Sequence, residues 1–198
     1  MKNLKRSLHA FTLIELLVVI SIIAILASFA VPAVNGALKK GQMTGVLNNA
    51  RQLTLATQTM SIDTSTAGDG VSWTTGTNGS ALTVSTFSQA LTAGKYLTAQ
   101  DLKKIFAAPG VIVNDTNFTA ANIAFSIIAT KETDPSDQPF VITKNWKAGA
   151  LAATNVPFGD AGFVVFRKGG DGGVYSRPTD VTNASVVGTN YAQLVPLQ

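Results

Sequence analysis

Hydrophobic and polar positions fall into three successive patterns along the chain. From Leu16 to Val34 nineteen consecutive residues carry no charge. A helix crosses a bilayer with about 20 apolar residues, so a membrane-spanning helix is predicted over residues 11–34. Polarity then rises through Lys39, Lys40, Gln42, Asn48, Asn49, Arg51 and Gln52, while Met43, Val46, Leu47, Ala50, Leu53 and Met60 recur at spacings of three, four and seven. That stripe predicts an amphipathic continuation of the same helix over residues 35–60, one face of which a small globular domain would cover. Pro32, Gly36, Gly41 and Gly45 interrupt the run. Proline in a helix costs about 3 kcal/mol, and glycine about 1 relative to alanine. Two readings follow: a kink or unwinding point centred on Pro32 and Gly36, or close helix packing through the small residues Gly41 and Gly45.

After Met60 the pattern changes. Sixteen of the 26 residues from Ser61 to Thr86 are Ser, Thr or Gly. The stretch reads as a loop with a short strand over Val71–Thr75. Ser85–Thr92 and Thr98–Phe106 have helical patterns, and Thr98 with Asp101 matches the [ST]-x-x-[DE] capping signature. Strands are predicted over Ile123–Ala129, Phe140–Lys144, Phe163–Lys168 and Val174–Ser176, the last two joined as a hairpin through the glycine-rich Gly169–Gly173. The tail from Val181 either adds an edge strand at Ser185–Val187 or wraps the surface. The predicted architecture is α+β: a long N-terminal helix packed on a small antiparallel sheet in a globular head, residues 61–198.

Composition narrows the chemistry. The 198 residues include no Cys and one His. Disulfides, thiolate metal sites, cysteine nucleophiles and any site needing two imidazoles are excluded. Net charge is +4, which by itself raises nucleic acid as a partner. Three of the cations, Lys2, Lys5 and Arg6, lie in the first ten residues, with no anion among them. From Ile62 onward nine cations face ten anions. The basic excess is therefore a topology signal that keeps the N-terminus cytoplasmic, and no nucleic-acid partner is expected.

A basic flank before an apolar run fits a secretory signal peptide, with a small-x-small site at Ser28-Phe29-Ala30, or a plain membrane anchor. Neither uses Glu15, a carboxylate at the start of the apolar helix, where an unpaired acid is costly. The stretch Ala10-Phe11-Thr12-Leu13-Ile14-Glu15-Leu16 strongly resembles the processing site of type IV prepilins and type II secretion pseudopilins. The resemblance covers roughly residues 1–60. It implies a leader peptide, residues 1–10, cut between Ala10 and Phe11 by a prepilin peptidase, which then methylates the Phe11 amine. Ala10 departs from the glycine usual before the cut. Pro32 matches a proline common in the middle of the family helix. In the arrangement the resemblance implies, Glu15 of one subunit neutralises the Phe11 amine of a neighbour.

The implied function is structural rather than enzymatic. The chain would be a subunit of a type II secretion pseudopilus or type IV pilus-like filament, a homo-oligomer assembled from the inner membrane with its head outside the cytoplasm. Its implied partners are the peptidase, an inner-membrane assembly platform and the lipid bilayer. Absence of Cys leans toward a pseudopilin, since many pilins carry a C-terminal disulfide loop. The alternative is a minor pilin or binding module whose head contacts DNA or a surface ligand. Asp134 and Asp137 are weak calcium candidates, since two carboxylates fall short of the six to eight oxygens calcium takes. The Gly169–Gly173 run lacks the Lys-[ST] pair of a phosphate loop and reads as a turn. Trp73 and Trp146 read as packed in the head.

Overall fold

The computed structural model describes residues 11–67, 72–76, 79–114, 117–147, 149–151 and 156–198. The chain divides into two compact units, Met1–Leu38 and Lys39–Gln198. One helix, α1 (Leu13–Ala67, 55 residues), contributes to both and carries Pro32 in its interior.

In the first unit every described residue is exposed. Leu, Ile, Val and Ala dominate, and an 18-residue window of α1 reaches a mean hydropathy of 2.8. By length and composition this helix is able to cross a membrane. Its two serines do not break the apolar character. The Ser21 hydroxyl donates to the Leu17 carbonyl at 2.8 Å and the Ser28 hydroxyl to the Ile25 carbonyl at 2.7 Å. Each polar hydrogen is thus consumed by the helix's own backbone, as an apolar medium requires.

In the second unit α1 buries the predicted stripe. Met43, Val46, Ala50, Leu53 and Met60 are all buried, and Leu47 packs against them half-exposed. Thr54, Thr57 and Ser61 complete the same face. The two threonines enter an apolar core because their hydroxyls donate to the Ala50 and Leu53 carbonyls, both at 2.8 Å. The helix also continues to Ala67, seven residues past Met60, where the serine and threonine content predicts a loop. Back-bonding accounts for the difference: Thr64, Ser65 and Thr66 donate to the carbonyls of Met60 and Ile62 at 2.8–2.9 Å. Residues that compete with a helix by local hydrogen bonding here satisfy that need along it.

The predicted helices form as α2 (Val84–Ala93) and α3 (Ala99–Phe106), each opening on a reciprocal capping box: Thr83 with Thr86, and Thr98 with Asp101. Of the predicted strand at 71–75, Val71 lies outside the described residues, and Ser72 and Thr75 form an isolated bridge. Four strands make an antiparallel sheet: β1 (Phe125–Ile127), β2 (Pro139–Thr143), then, beyond a short ribbon of β3 (Trp146–Lys147) and β4 (Ala150–Leu151), β5 (Phe163–Arg167) and β6 (Gly172–Tyr175). Their order is β1-β2-β5-β6. The ribbon was not legible in the sequence, being two residues a side.

Strand β5 shows how the layers divide. Val164 and Phe166 point to the cluster built by α1, α2 and α3, while Phe163 and Val165 point to a second cluster with Ile142, Trp146, Val181, Val186 and Val187. Both faces of the sheet are covered, which is why Phe163-Val164-Val165-Phe166 reads as an unbroken apolar run. The turn between β5 and β6 is shorter than Gly169–Gly173: Gly172 and Gly173 pair with Phe166 and Val165. Glycine is required at 172, where a Cβ would sit 2.6 Å from the Val165 carbonyl oxygen.

The tail covers the second face by wrapping. Of the two alternatives for the tail, the edge strand at Ser185–Val187 does not form; those residues lie in a short helix, α4 (Ala184–Val187), started by the Asn183 side chain, which accepts from the Ser185 amide at 3.0 Å. Edge pairing falls further on, where the Ala129 amide donates to the Val195 carbonyl and the Leu197 amide to the Ile127 carbonyl, both at 2.8 Å.

Candidate functional site

The residues expected to carry processing and assembly lie at the start of α1. Ala10 is outside the described residues. Phe11 is 80% exposed. Thr12 caps the helix and Glu15 closes the cap. The Thr12 amide and hydroxyl both donate to Glu15 Oε2, at 2.9 and 2.8 Å, and the Glu15 amide donates back to the Thr12 hydroxyl at 3.3 Å. This is a capping box, in which two of the helix's unpaired amides are satisfied reciprocally. One carboxylate oxygen is thereby held at the helix N-terminus, where the backbone dipole also favours negative charge.

Thr12 is the residue that sequence reasoning missed here. Its signal was present, since Thr12-Leu13-Ile14-Glu15 is the same [ST]-x-x-[DE] pattern as Thr98–Asp101. Further along, Pro32 and Gly36 both lie within α1 and are exposed. A Cβ at Gly36, Gly41 or Gly45 would meet nothing within 4 Å, so no contact in this chain requires glycine at these three positions.

The loop after β1 places the weak calcium candidates. Asp134 Oδ2 accepts from the Lys131 amide at 2.7 Å and from Gln138 Nε2 at 3.3 Å, closing a turn. Asp137 is exposed on the same turn. Lys168 reaches into this loop: its ammonium donates to the carbonyls of Glu132 and Asp134 and lies 5.3 Å from the centre of the Trp73 ring. Trp73 Nε1 in turn donates to Glu132 Oε2 at 2.7 Å, and the Ser61 hydroxyl reaches the same oxygen at 3.0 Å. A lysine thus supplies the positive charge that these carbonyls face. Among the described residues no three His, Cys, Asp or Glu side chains converge as metal ligands.

Trp73 and Trp146 are both buried. Trp73 packs edge-on against Phe140 at 5.3 Å, and Trp146 against Tyr191 at 6.4 Å. Packing in the head is therefore their role, as expected.

No curated protein and no solved structure matches the chain. The family model for the prokaryotic N-terminal methylation motif matches residues 5–31, taking in Lys5 and Arg6 of the basic flank, the Ala10–Phe11 junction, the Thr12–Glu15 cap and most of the apolar run. With its long N-terminal helix and four-stranded antiparallel sheet, the fold is consistent with a pilin-like one. The chain thus carries, at residues 5–31, the prokaryotic N-terminal methylation motif typical of the prepilin-type cleavage signal of type IV pilins and pseudopilins.

Proposed function

We propose that this protein is a structural subunit of a type II secretion pseudopilus or related type IV pilus-like filament. A prepilin peptidase removes residues 1–10 and methylates Phe11. The subunit waits in the inner membrane, N-terminus cytoplasmic, with residues 11–34 spanning and the head outside, until an assembly platform adds it to a homo-oligomeric filament. The observation that carries this reading is the exposed apolar half of α1, with one acid, the fifth residue after the cleavage junction, inside the methylation motif.

Physical reasoning gives Glu15 its role. A carboxylate in an apolar surround needs a partner, and one hydroxyl and one amide neutralise none of its charge. Cleavage creates a cation at Phe11, methylated yet still charged. A neighbour's Phe11 amine, approaching the Glu15 carboxylate in low dielectric, satisfies both charges, whereas a subunit out of register leaves both unpaired. The pair therefore selects register.

Glu15→Val tests this directly. The variant is expected to be processed and inserted yet to fail in filament assembly, scored by shearing and immunoblotting. Normal assembly of Glu15→Val would defeat the mechanism. Intact-mass measurement of the membrane-extracted subunit is expected to show loss of residues 1–10 and a gain of about 14 Da, one methyl.

A further inference from the structure

On the face of the sheet wrapped by the tail, a cavity of about 620 Å³ opens between β1, β3 and the C-terminal segment. Its apolar walls include Ile128, Trp146, Leu194 and Pro196. Its cationic lining residues are Lys144 and Lys147, and among the described residues no acidic one lines it. Lys147 is exposed; Lys144, just past the end of β2, is half-buried. Among the described residues the Lys144 ammonium makes no hydrogen bond and no ion pair, and burial pulls its pKa down from the ordinary lysine value.

The frame around that amine is fixed. The Lys144 amide donates to the Ala124 carbonyl at 3.0 Å. The next residue, Asn145, is buried and ties its side-chain amide to the Gly159 and Gly162 carbonyls at 2.8 and 2.6 Å. Trp146 Nε1 donates to the Val181 carbonyl at 3.0 Å, and its ring is braced by Tyr191. A half-desolvated ammonium without an acceptor, held at the edge of an apolar cavity, lacks the counter-charge that burial of an ion calls for.

We propose that this cavity is a binding site for an apolar monocarboxylate, its carboxylate on the Lys144 ammonium and its hydrocarbon body against Trp146, Ile128 and Leu194. The volume falls within the roughly 300–1,000 Å³ of small-molecule sites, which are likewise mostly apolar with few polar groups. Lys147 is exposed and keeps its hydration, so one negative charge neutralises the one half-buried cation. A dianionic phosphate would have to turn its second charge toward the exposed Lys147, and the described lining offers no guanidinium fork to receive it. A neutral body of the same shape would leave the ammonium unpaired. No lining residue belongs to the methylation motif.

The test uses the full chain in phospholipid nanodiscs, with empty nanodiscs as the blank. The probe is 2-naphthylacetate, and 2-naphthylacetamide is its neutral match. Saturating acid is expected to slow acylation of Lys144, followed by peptide mass spectrometry, at least fivefold while leaving Lys95 and Lys131 unchanged; the amide leaves all three unchanged. Equilibrium dialysis is expected to show at least tenfold weaker binding to Lys144→Met. Leu194→Trp, which fills the cavity and keeps the ammonium, is expected to weaken it as much. Equal protection by the amide, absence of protection, or unchanged affinity in a folded Lys144→Met overturns the proposal. Should Lys144→Met fail to fold, the comparison of acid with amide on the wild-type chain and the Leu194→Trp affinity decide it.

Discussion

Asn145 shows how much one buried side chain organises in the head. It is fully buried, and its amide nitrogen bonds two carbonyls fourteen and seventeen residues away. The loop leading into β5 is thereby fastened to the end of β2. Its oxygen is the one buried side-chain polar atom among the described residues left without a partner, so the residue is kept for what its nitrogen does. Asn145→Ala takes this donor from the half-buried Gly159 carbonyl and the buried Gly162 carbonyl, and stranding a buried polar group costs about 1–3 kcal/mol before relaxation. A loss of about 2 kcal/mol or more is expected by urea denaturation of the head. Asn145→Asp keeps the shape and replaces two donors with a charge facing two carbonyls, so it is expected to be worse than alanine. A smaller effect for aspartate would mean that the side chain fills space and does not fasten the loop.

The capping boxes carry the argument at the scale of elements. Thr98 and Asp101 open α3 as the sequence pattern predicts: the Thr98 hydroxyl and amide both donate to Asp101 Oδ2, at 2.6 and 3.2 Å. Those two bonds, chiefly the one from the side chain, with the Lys104 charge adding a little, hold the Asp101 carboxyl below the ordinary aspartate value of 3.8. A carboxyl with a lowered folded-state pKa stabilises fully above its unfolded value, and that contribution fades as pH falls through the lower folded value. Wild type is therefore expected to lose its advantage over Asp101→Asn as pH drops below about 4. Thr98→Ala is expected to cost about 1 kcal/mol at neutral pH. A gap between wild type and Asp101→Asn that stays flat from pH 7 to 2 would contradict the assignment. The sequence announces such elements because cap, period and stop are local. It announces β5 for the same reason, four consecutive apolar residues being enough to name a strand buried on both sides. It does not announce the helical turns at 61–67, because serine and threonine back-bonding has the same composition as a loop. Nor does it announce α4, where four apolar or small residues carry no period. Of the site residues, Phe11 and Glu15 are legible because an acid in an apolar run is conspicuous. Lys144 is not, since its meaning rests on a cavity built from segments up to seventy residues apart in the chain.

At the scale of the molecule, burial is distributed unevenly. Every buried residue lies at or beyond Met43, and the described residues before it are all exposed. With no buried contact of their own, residues 11–38 would, under the proposed function, owe their order to what surrounds them, lipid before assembly and neighbouring helices in the filament. The second unit owes its order to itself: both core clusters, the capping boxes of α2 and α3 and, among the described residues, the six strands belong to Lys39–Gln198. At about 160 residues that unit is large enough to bury a core without disulfides. A chain beginning at Lys39 is expected to be soluble without detergent, to unfold in one cooperative transition, and to keep α1 helical from Met43 to Ala67. The helix would fray over its first turn, where no amide has an intrahelical partner. The full chain, with its exposed leucines, isoleucines and valines from 13 to 34, is expected to require detergent or lipid. Circular dichroism melts and hydrogen exchange on the shortened chain decide the matter. Protection along the Met43, Val46, Ala50 and Leu53 stripe equal to that of β2 and β5 would mark one cooperative core. Rapid exchange along α1 with a protected sheet would mean that the helix depends on its apolar N-terminal half for its place in the fold.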